Sequence, residues 1–107
     1  MKRTFKALSI VAPNGQRIAQ GLKKLEIRSW QPEALPLKDL LIVENIHHLN
    51  VDGQEEEGAA VALVDVEAIH IWQEHYFAWV LSNVRPFYSQ INAVAKRKIY
   101  LVEIDHP

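Results

Sequence analysis

The chain has 107 residues, of which 49% are hydrophobic, so it can bury one core and is expected to form one domain over residues 1–107. It contains no cysteine, which excludes disulfide bonds, thiolate metal sites and a cysteine nucleophile. The apolar run 7–12 is too short for a signal sequence, and no stretch approaches the roughly 20 apolar residues that span a bilayer. We therefore expect a cytoplasmic protein without membrane contacts.

The formal net charge of −1 hides an uneven distribution of charge along the chain. Residues 1–30 contain seven Lys or Arg residues and one acidic residue, Glu26. Residues 31–75 contain ten acidic residues and one basic residue, Lys38. Such a distribution predicts a basic face able to contact phosphate and an acidic face turned to solvent. Charge segregation along a chain can also cancel on folding, so this alternative stays open.

The first predicted elements are a strand over residues 5–11 and a short helix over residues 15–20. The strand is expected to end where Pro, Asn and Gly follow one another. Asn14 is expected to cap the helix and Gly21 to end it. Ile18 would then lie on its buried side.

The middle of the chain predicts two strands and a polar loop. The second strand covers residues 24–30 and the third covers residues 40–45. Residues 40–43 are apolar at every position, as in a strand buried on both faces. Residues 46–59 read as a polar loop in which the consecutive glutamates 55–57 are solvated.

The longest predicted strand covers residues 59–72, and its change of character at Asp65 indicates a bulge or bend. One helical turn is predicted over residues 73–76, then a strand over 77–81. An exposed turn is predicted around Pro86. The aromatic residues of this region are expected to lie mainly in the core; they are Trp72, Tyr76, Phe77 and Trp79.

A last strand over residues 98–104 brings the total to five or six strands with one or two short helices. This pattern predicts a mainly β (α+β) fold arranged as a small, partly closed barrel.

One segment, ALSIVAPNGQRIAQGLKKLEIRSW at residues 7–30, resembles the opening of ASCH domains. This family is named after the activating signal cointegrator homology region and is similar to PUA domains. The segments GAAVALVDV at 58–66 and YFAWVLSNVRPF at 76–87 resemble further parts of the family, so the likeness spans nearly the whole chain. The shared pattern of the first segment is Gly-x-Lys-x-x-Glu-x-Arg-Ser-Trp, carried here by Gly21, Lys23, Glu26, Arg28, Ser29 and Trp30.

This resemblance implies a PUA-like β-barrel with a cleft beside the Gly-x-Lys segment that binds RNA or modified nucleotides. Some members of the family act as amidohydrolases on N4-acetylated cytidine nucleosides. That chemistry is built on a lysine, a threonine three residues later and a downstream glutamate. The first position holds Lys23, the second holds Glu26, and Glu74 lies at roughly the third. The resemblance thus implies Lys23 and, by rough position, Glu74 as catalytic candidates of an enzyme. Glu26, which replaces the threonine, is a third candidate as the partner that orients Lys23.

The strand that follows Lys23 places unusual side chains together. Alternation puts Lys24, Glu26, Arg28 and Trp30 on one face, where charges need water, opposite charges or a ligand. Glu26 could hold Arg28 or accept a hydrogen bond from a base, while Trp30 stacks on that base for ~1–3 kcal/mol. The alternative is a row of surface salt bridges worth roughly 0–1 kcal/mol. The predicted ligand-binding residues are Lys23, Lys24, Glu26, Arg28, Ser29 and Trp30.

The histidines do not have the spacing of a metal site. His47 and His48 are adjacent and would point apart on a strand, and His70 and His75 are five residues apart. We therefore predict no metal and no cofactor.

Three functions fit these observations. The first is an RNA- or nucleotide-binding domain that uses the cleft. The second is a hydrolase of a modified nucleoside in which Lys23 and Glu26 transfer protons. The third is an interaction module that presents the acidic residues 55–57 to a protein partner. Binding of RNA should weaken steeply with salt, whereas turnover of a nucleoside should not.

Overall fold

The computed structural model describes residues 1–105, which form six strands and one short helix. The elements in chain order are β1 (Lys2–Val11), α1 (Asn14–Ala19), β2 (Leu25–Arg28), β3 (Leu37–Asn45), β4 (Glu56–Gln73), β5 (Tyr76–Ala95) and β6 (Ile99–Asp105). The mainly β class predicted from the sequence is confirmed. No helix in this part of the chain is long and apolar enough to cross a bilayer.

All six strands belong to one sheet in the order β2-β5-β4-β3-β1-β6. β1 runs parallel to β3, and the other neighbouring pairs are antiparallel. Over residues 1–105 the sheet ends at β2 on one side and β6 on the other, so backbone pairing does not close the predicted barrel. We call the gap between β2 and β6 the open side of the sheet.

The sheet buries apolar side chains on both faces. In β3, Leu40 and Ile42 pack into a first core, while Leu41 and Val43 pack into a second, and all four are fully buried. The first core contains Trp79, and the second contains Phe5. The prediction that residues 40–43 are buried on both faces is confirmed, because each of these four residues packs into one of the two cores.

β5 continues where the sequence predicted an exposed turn. Pro86 lies within this strand and pairs with Ala62 of β4. The β4–β5 pairing shifts register on both sides of this point, between Ala60 and Ala62 and between Leu63 and Asp65. Such irregularities accommodate a proline that cannot donate a backbone hydrogen bond. The predicted turn at Pro86 is therefore wrong, whereas the predicted bulge at Asp65 is confirmed.

The segment predicted as a helical turn, residues 73–76, is instead the tip of the β4–β5 hairpin, where Gln73 pairs with Tyr76. His75 adopts a positive φ of 65° in this tight turn. Trp72 and Tyr76 are exposed here, at 57% and 43%, so the prediction that they lie in the core is wrong. Trp79, further along β5, is fully buried as predicted.

α1 is held by a residue distant in the chain rather than by the predicted cap. Pro13 occupies the N-cap position, and no side chain caps the helix there. Instead, Glu44 Oε2 accepts a hydrogen bond of 2.8 Å from the Gln16 backbone amide. Gly21 follows the helix with a φ of 77°, as expected of a residue that ends a helix. Ile18 is fully buried in the first core.

Candidate functional site

A cleft of about 350 Å³ lies where β2 faces the end of β1 at the open side of the sheet. Its walls are formed by residues 9–11 of β1, residues 26–30 of β2 and the following turn, the loop residues 47–49, and residues 96–98. The last of these segments connects β5 to β6, and we call it the basic turn. The cleft can form here because β6 pairs with β1 only as far as Leu8, which leaves the end of β1 uncovered by β6.

Glu26 is the buried centre of the β2 wall, with only 8% of its surface exposed. Glu26 pairs with Trp79 of β5, so the two side chains lie on the same face of the sheet. Trp79 belongs to the first core. Glu26 Oε1 lies 3.3 Å from Lys23 Nζ, and Glu26 Oε2 accepts a hydrogen bond of 2.8 Å from Arg28 Nε. The carboxylate is tolerated at this depth because two cations face it.

Arg28 connects β2 to β1. Besides the contact of its Nε with Glu26, its terminal NH2 group donates a hydrogen bond of 2.8 Å to the Ser9 carbonyl oxygen. The same NH2 nitrogen also lies 2.8 Å from Glu26 Oε2, so two partners hold the planar guanidinium in place. Arg28 therefore bridges one wall of the cleft to another with a positive charge.

Trp30 closes one end of the cleft. Its ring meets the ring of Trp79 edge to face, with centroids 5.0 Å apart and an angle of 84° between the planes. Its backbone carbonyl accepts a hydrogen bond of 3.2 Å from Trp79 Nε1. Lys98 Nζ lies 5.8 Å from the Trp30 ring centroid, within cation–π range. The Trp30 ring is thus anchored in the core and faces a cation.

The basic turn is attached to β1 through Ser9. The Lys96 backbone amide donates to Ser9 Oγ at 3.1 Å, and the same oxygen lies 2.8 Å from the Tyr100 hydroxyl. Burial raises the pKa of Tyr100 above its ordinary value, so this hydroxyl stays neutral at physiological pH. Two of the walls are therefore held together by hydrogen bonds independent of any ligand.

Glu56 holds the start of the loop between β3 and β4 at the rim of the cleft. Its carboxylate accepts hydrogen bonds from the backbone amides of His47 at 2.9 Å and Ile46 at 2.7 Å. His47 Nδ1 lies 2.6 Å from the second carboxylate oxygen. The backbone amide and the side chain of His47, together with the Ile46 amide, lower the pKa of Glu56 to about 2. His47 is thereby positioned beside the cleft.

Asn45 adds a further fixed group at the same place. Its Nδ2 donates to the His47 carbonyl at 2.7 Å and to Glu56 Oε1 at 3.1 Å. Both partners are acceptors, which fixes the orientation of the amide. Its Oδ1 is buried without a hydrogen-bond partner among residues 1–105. Asn45 and Glu56 therefore fix the backbone where the loop begins at the end of β3.

The charge of the cleft is predominantly positive. Its lining contains one carboxylate, from Glu26, against four basic side chains from β2 and the basic turn. These are Arg28, Lys96, Arg97 and Lys98. Such an arrangement favours an anionic ligand, and phosphate is the anion for which Arg and Lys side chains are suited.

The family model of the ASCH domain matches residues 8–104. The chain belongs to the ASCH domain family. The resemblance predicted from the sequence is thereby confirmed over nearly the whole chain. No curated protein matches this ASCH domain.

The structure brings together some of the residues predicted for the site of this ASCH domain. Glu26, Arg28, Ser29 and Trp30 line the cleft. Lys23 lies behind Glu26, in contact with its carboxylate but outside the cleft wall.

Two other candidates lie elsewhere. Lys24 precedes β2 with an exposed side chain. Glu74 lies at the tip of the β4–β5 hairpin, where its side chain is 88% exposed and 3.3 Å from His75 Nε2. Neither residue contributes to the lining of the cleft.

Sequence reasoning missed the contributions of the basic turn and of His47 to the site. Lys96, Arg97 and Lys98 are visible in the sequence as a basic run. Their position beside Glu26 depends on the pairing of β6 with β1, which joins segments more than 90 residues apart. A predicted antiparallel pairing of the first and last strands would have been the signal needed to find them.

A second polar network of this ASCH domain lies at the bulges of β3, β4 and β5. Asp65, which is 5% exposed, accepts hydrogen bonds from Arg85 at 2.7 Å, Asn83 at 2.9 Å and the Asp39 backbone amide at 3.0 Å. Lys38 contacts Glu67 and lies 3.8 Å from Asp65. Asp65 thus lies at a bulge of β4, and both Asp65 and Glu67 form ion pairs there. Residues 1–105 contain no cluster of three potential metal ligands.

Proposed function

We propose that this ASCH domain binds RNA or a nucleotide in the cleft. The observation that carries the proposal is the placement of four cationic side chains and Trp30 around the buried carboxylate of Glu26. Cations at the rim suit phosphates, an aromatic face suits a base, and a carboxylate accepts hydrogen bonds from base N–H groups. A sugar-phosphate ligand with an unstacked base matches all three features.

Arg28 is the group in this proposal that links ligand binding to the wall of the cleft. Its Nε and one terminal nitrogen are used by Glu26 and Ser9. Binding of a phosphate by Arg28 should cost little conformational entropy, because the guanidinium is already ordered by Glu26 and Ser9. Arg28 would thus act as a preorganised phosphate contact.

Salt-dependent binding tests the proposal. Fluorescence anisotropy with a labelled single-stranded RNA of about ten nucleotides would be measured from low to physiological salt. Arg97→Ala is expected to weaken binding about three- to tenfold at low salt and to reduce the slope of log affinity against log salt by about 1. Arg17→Ala is the matched control, since Arg17 is exposed on α1 and outside the cleft. Equal binding by both variants would contradict the proposal.

A hydrolase of a modified nucleoside is the second candidate, and the contact between Lys23 and Glu26 favours it. The two side chains lie 3.3 Å apart, close enough for one to orient the other during proton transfer. Incubation with N4-acetylcytidine and detection of released acetate test this candidate. Turnover that is lost in Lys23→Ala and changes little with salt would support it, and its absence from the wild-type protein would exclude this reaction.

A further inference from the structure

Every cation of the basic turn already has a partner. Arg97 NH1 donates to Asp52 Oδ1 at 2.7 Å, and Lys96 Nζ lies 3.2 Å from Glu55 Oε1. Lys98 faces the ring of Trp30. Two of the positive charges that line the cleft are therefore neutralised by carboxylates of the loop between β3 and β4.

These carboxylates belong to a compact turn, residues 50–55. Gln54 Oε1 accepts hydrogen bonds from the backbone amides of Asn50 at 2.8 Å and Val51 at 2.9 Å. The Gln54 amide donates to the Val51 carbonyl at 3.1 Å, and Gly53 supplies a φ of 92°. The turn is thus shaped by its own hydrogen bonds and is held against the basic turn by the two ion pairs.

The base of the loop is anchored far more firmly than its tip. At the base, Glu56 accepts hydrogen bonds from the backbone amides of Ile46 and His47 and from Asn45 Nδ2. At the tip, the side chain of Asp52 is 87% exposed and that of Glu55 is 55% exposed. Exposed ion pairs are weak and are screened by salt, so the contacts at the tip can exchange.

We propose that residues 50–55 form an acidic latch that competes with the ligand for Arg97 and Lys96, and that the phosphate of the ligand displaces Asp52 and Glu55. This inference rests on the proposed binding of RNA or a nucleotide in the cleft. A phosphate has more acceptor oxygens than a carboxylate and up to twice its charge, so it replaces the carboxylates at these cations. The latch makes binding depend on a phosphate that reaches both cations.

The acidic residues thereby acquire a role within the chain. Asp52 and Glu55 occupy the positions that the ligand anion would take at Arg97 and Lys96. When no ligand is bound, these carboxylates reduce the net positive charge of the basic turn. An anion that contacts only one of the two cations leaves the other ion pair in place, so it binds less tightly. The latch favours ligands with adjacent phosphates or a bound base over simple monovalent anions.

The test compares two double variants with the same change in net charge. Asp52→Asn with Glu55→Gln removes both carboxylates of the latch and keeps their shape. Glu103→Gln with Asp105→Asn is the control, since both residues are exposed on β6 outside the cleft. The two probes are a short labelled single-stranded RNA and inorganic pyrophosphate, with affinities measured at low salt.

The latch variant is expected to bind both probes about three- to tenfold more tightly than the wild-type protein, and the control less than about twofold more tightly. Equal changes in the two variants, or no tightening in the latch variant, overturn the latch. Tighter pyrophosphate binding by the latch variant without RNA binding by any form keeps the latch and overturns RNA as the ligand of the cleft. Binding of neither probe overturns both.

Hydrogen exchange gives a second readout that does not depend on affinity. The backbone amides of residues 50–55 are expected to exchange faster in the latch variant than in the wild-type protein. Saturating pyrophosphate should produce the same acceleration in the wild-type protein, because it releases the tip from the basic turn. Unchanged exchange on addition of a bound probe would overturn displacement of the latch. Circular dichroism confirms that each variant retains the fold.

Discussion

Arg28 and Ser9 are joined by a hydrogen bond of 2.8 Å from the guanidinium to a backbone carbonyl, across 19 residues of sequence. The contact connects β2, at one end of the sheet, to β1, near the other end. It replaces with one side chain the backbone pairing that a closed barrel would have at this position. The cleft and the open side of the sheet are therefore one feature of the fold.

Glu26→Ala should lower the free energy of unfolding by about 1–3 kcal/mol. The substitution leaves Lys23 and Arg28 without their carboxylate, and both cations are half-buried, with side chains 26% and 23% exposed. Their partial exposure keeps the loss below that of a fully buried pair. Urea denaturation measures it. Glu33→Ala, at an exposed position, should change stability by less than about 0.5 kcal/mol, and a similarly small effect at Glu26 would contradict the role of the carboxylate.

Trp79→Ala should destabilise the protein by about 3–5 kcal/mol, because this ring is fully buried in the first core and its loss leaves a cavity. It also removes the hydrogen bond to the Trp30 carbonyl. Trp72→Ala is the matched control, since the same side chain is 57% exposed at the hairpin tip and should cost less than about 1 kcal/mol. Thermal and urea denaturation of the two variants check the difference, and equal losses would show that the burial is wrongly assigned.

Glu56 should make stability depend on pH in the acid range. The pKa of its carboxyl is about 2 in the folded protein against 4.5 as the ordinary value, so the folded state favours the ionised form. Its contribution is present above about pH 5 and is lost as pH falls from 4.5 toward 2. Glu56→Gln should therefore be less stable than the wild-type protein at pH 7, and the difference should shrink toward pH 2.

Urea denaturation at a series of pH values checks this dependence. Glu57→Gln, next in the chain with an exposed side chain, should keep the wild-type profile between pH 5 and 2. A Glu56→Gln profile parallel to that of the wild-type protein would contradict the assignment.

Asp65→Ala should destabilise the protein by about 1–3 kcal/mol, since it leaves the Asp39 backbone amide and Asn83 Nδ2 without their acceptor. It also removes one of the two carboxylates that pair with Arg85, which keeps its contact with Asp39. Burial raises the pKa of Asp65, but hydrogen bonds from Asn83 and the Asp39 amide outweigh this effect, so the pKa is lowered overall. Glu67→Ala, at an exposed position on the same strand, should cost less than about 0.5 kcal/mol. Chemical denaturation at neutral pH compares the two, and similar values would contradict the role of the network.

Local patterns were sufficient to predict much of the fold. Residues 40–43 are apolar at each position, a run typical of a strand covered on both faces, and these residues alternate between the two cores. The position of Asp65 in an otherwise apolar strand indicated the bulge correctly. Both predictions succeeded because the burial and the bulge depend on residues that are adjacent in the sequence.

The features that were not predicted from the sequence depend on the pairing of strands that are distant in the chain. Pro86 is a turn signal by itself, and it becomes a strand residue only because shifts of register in β4 accommodate it. Trp72 looks like a core residue, but the hairpin carries it beyond the first core. The basic turn reaches the cleft through β1 and β6, whose pairing is not encoded in any short segment.

The open side of the sheet has a consequence for how this site can diversify. The walls of the cleft meet through side chains such as Arg28, whereas the pairing of β3, β4 and β5 is supplied by the backbone elsewhere. Replacing a side chain at the open side changes the surface of the cleft without disturbing strand register. Few substitutions can therefore change the charge and shape of the cleft, while the two cores stay as they are.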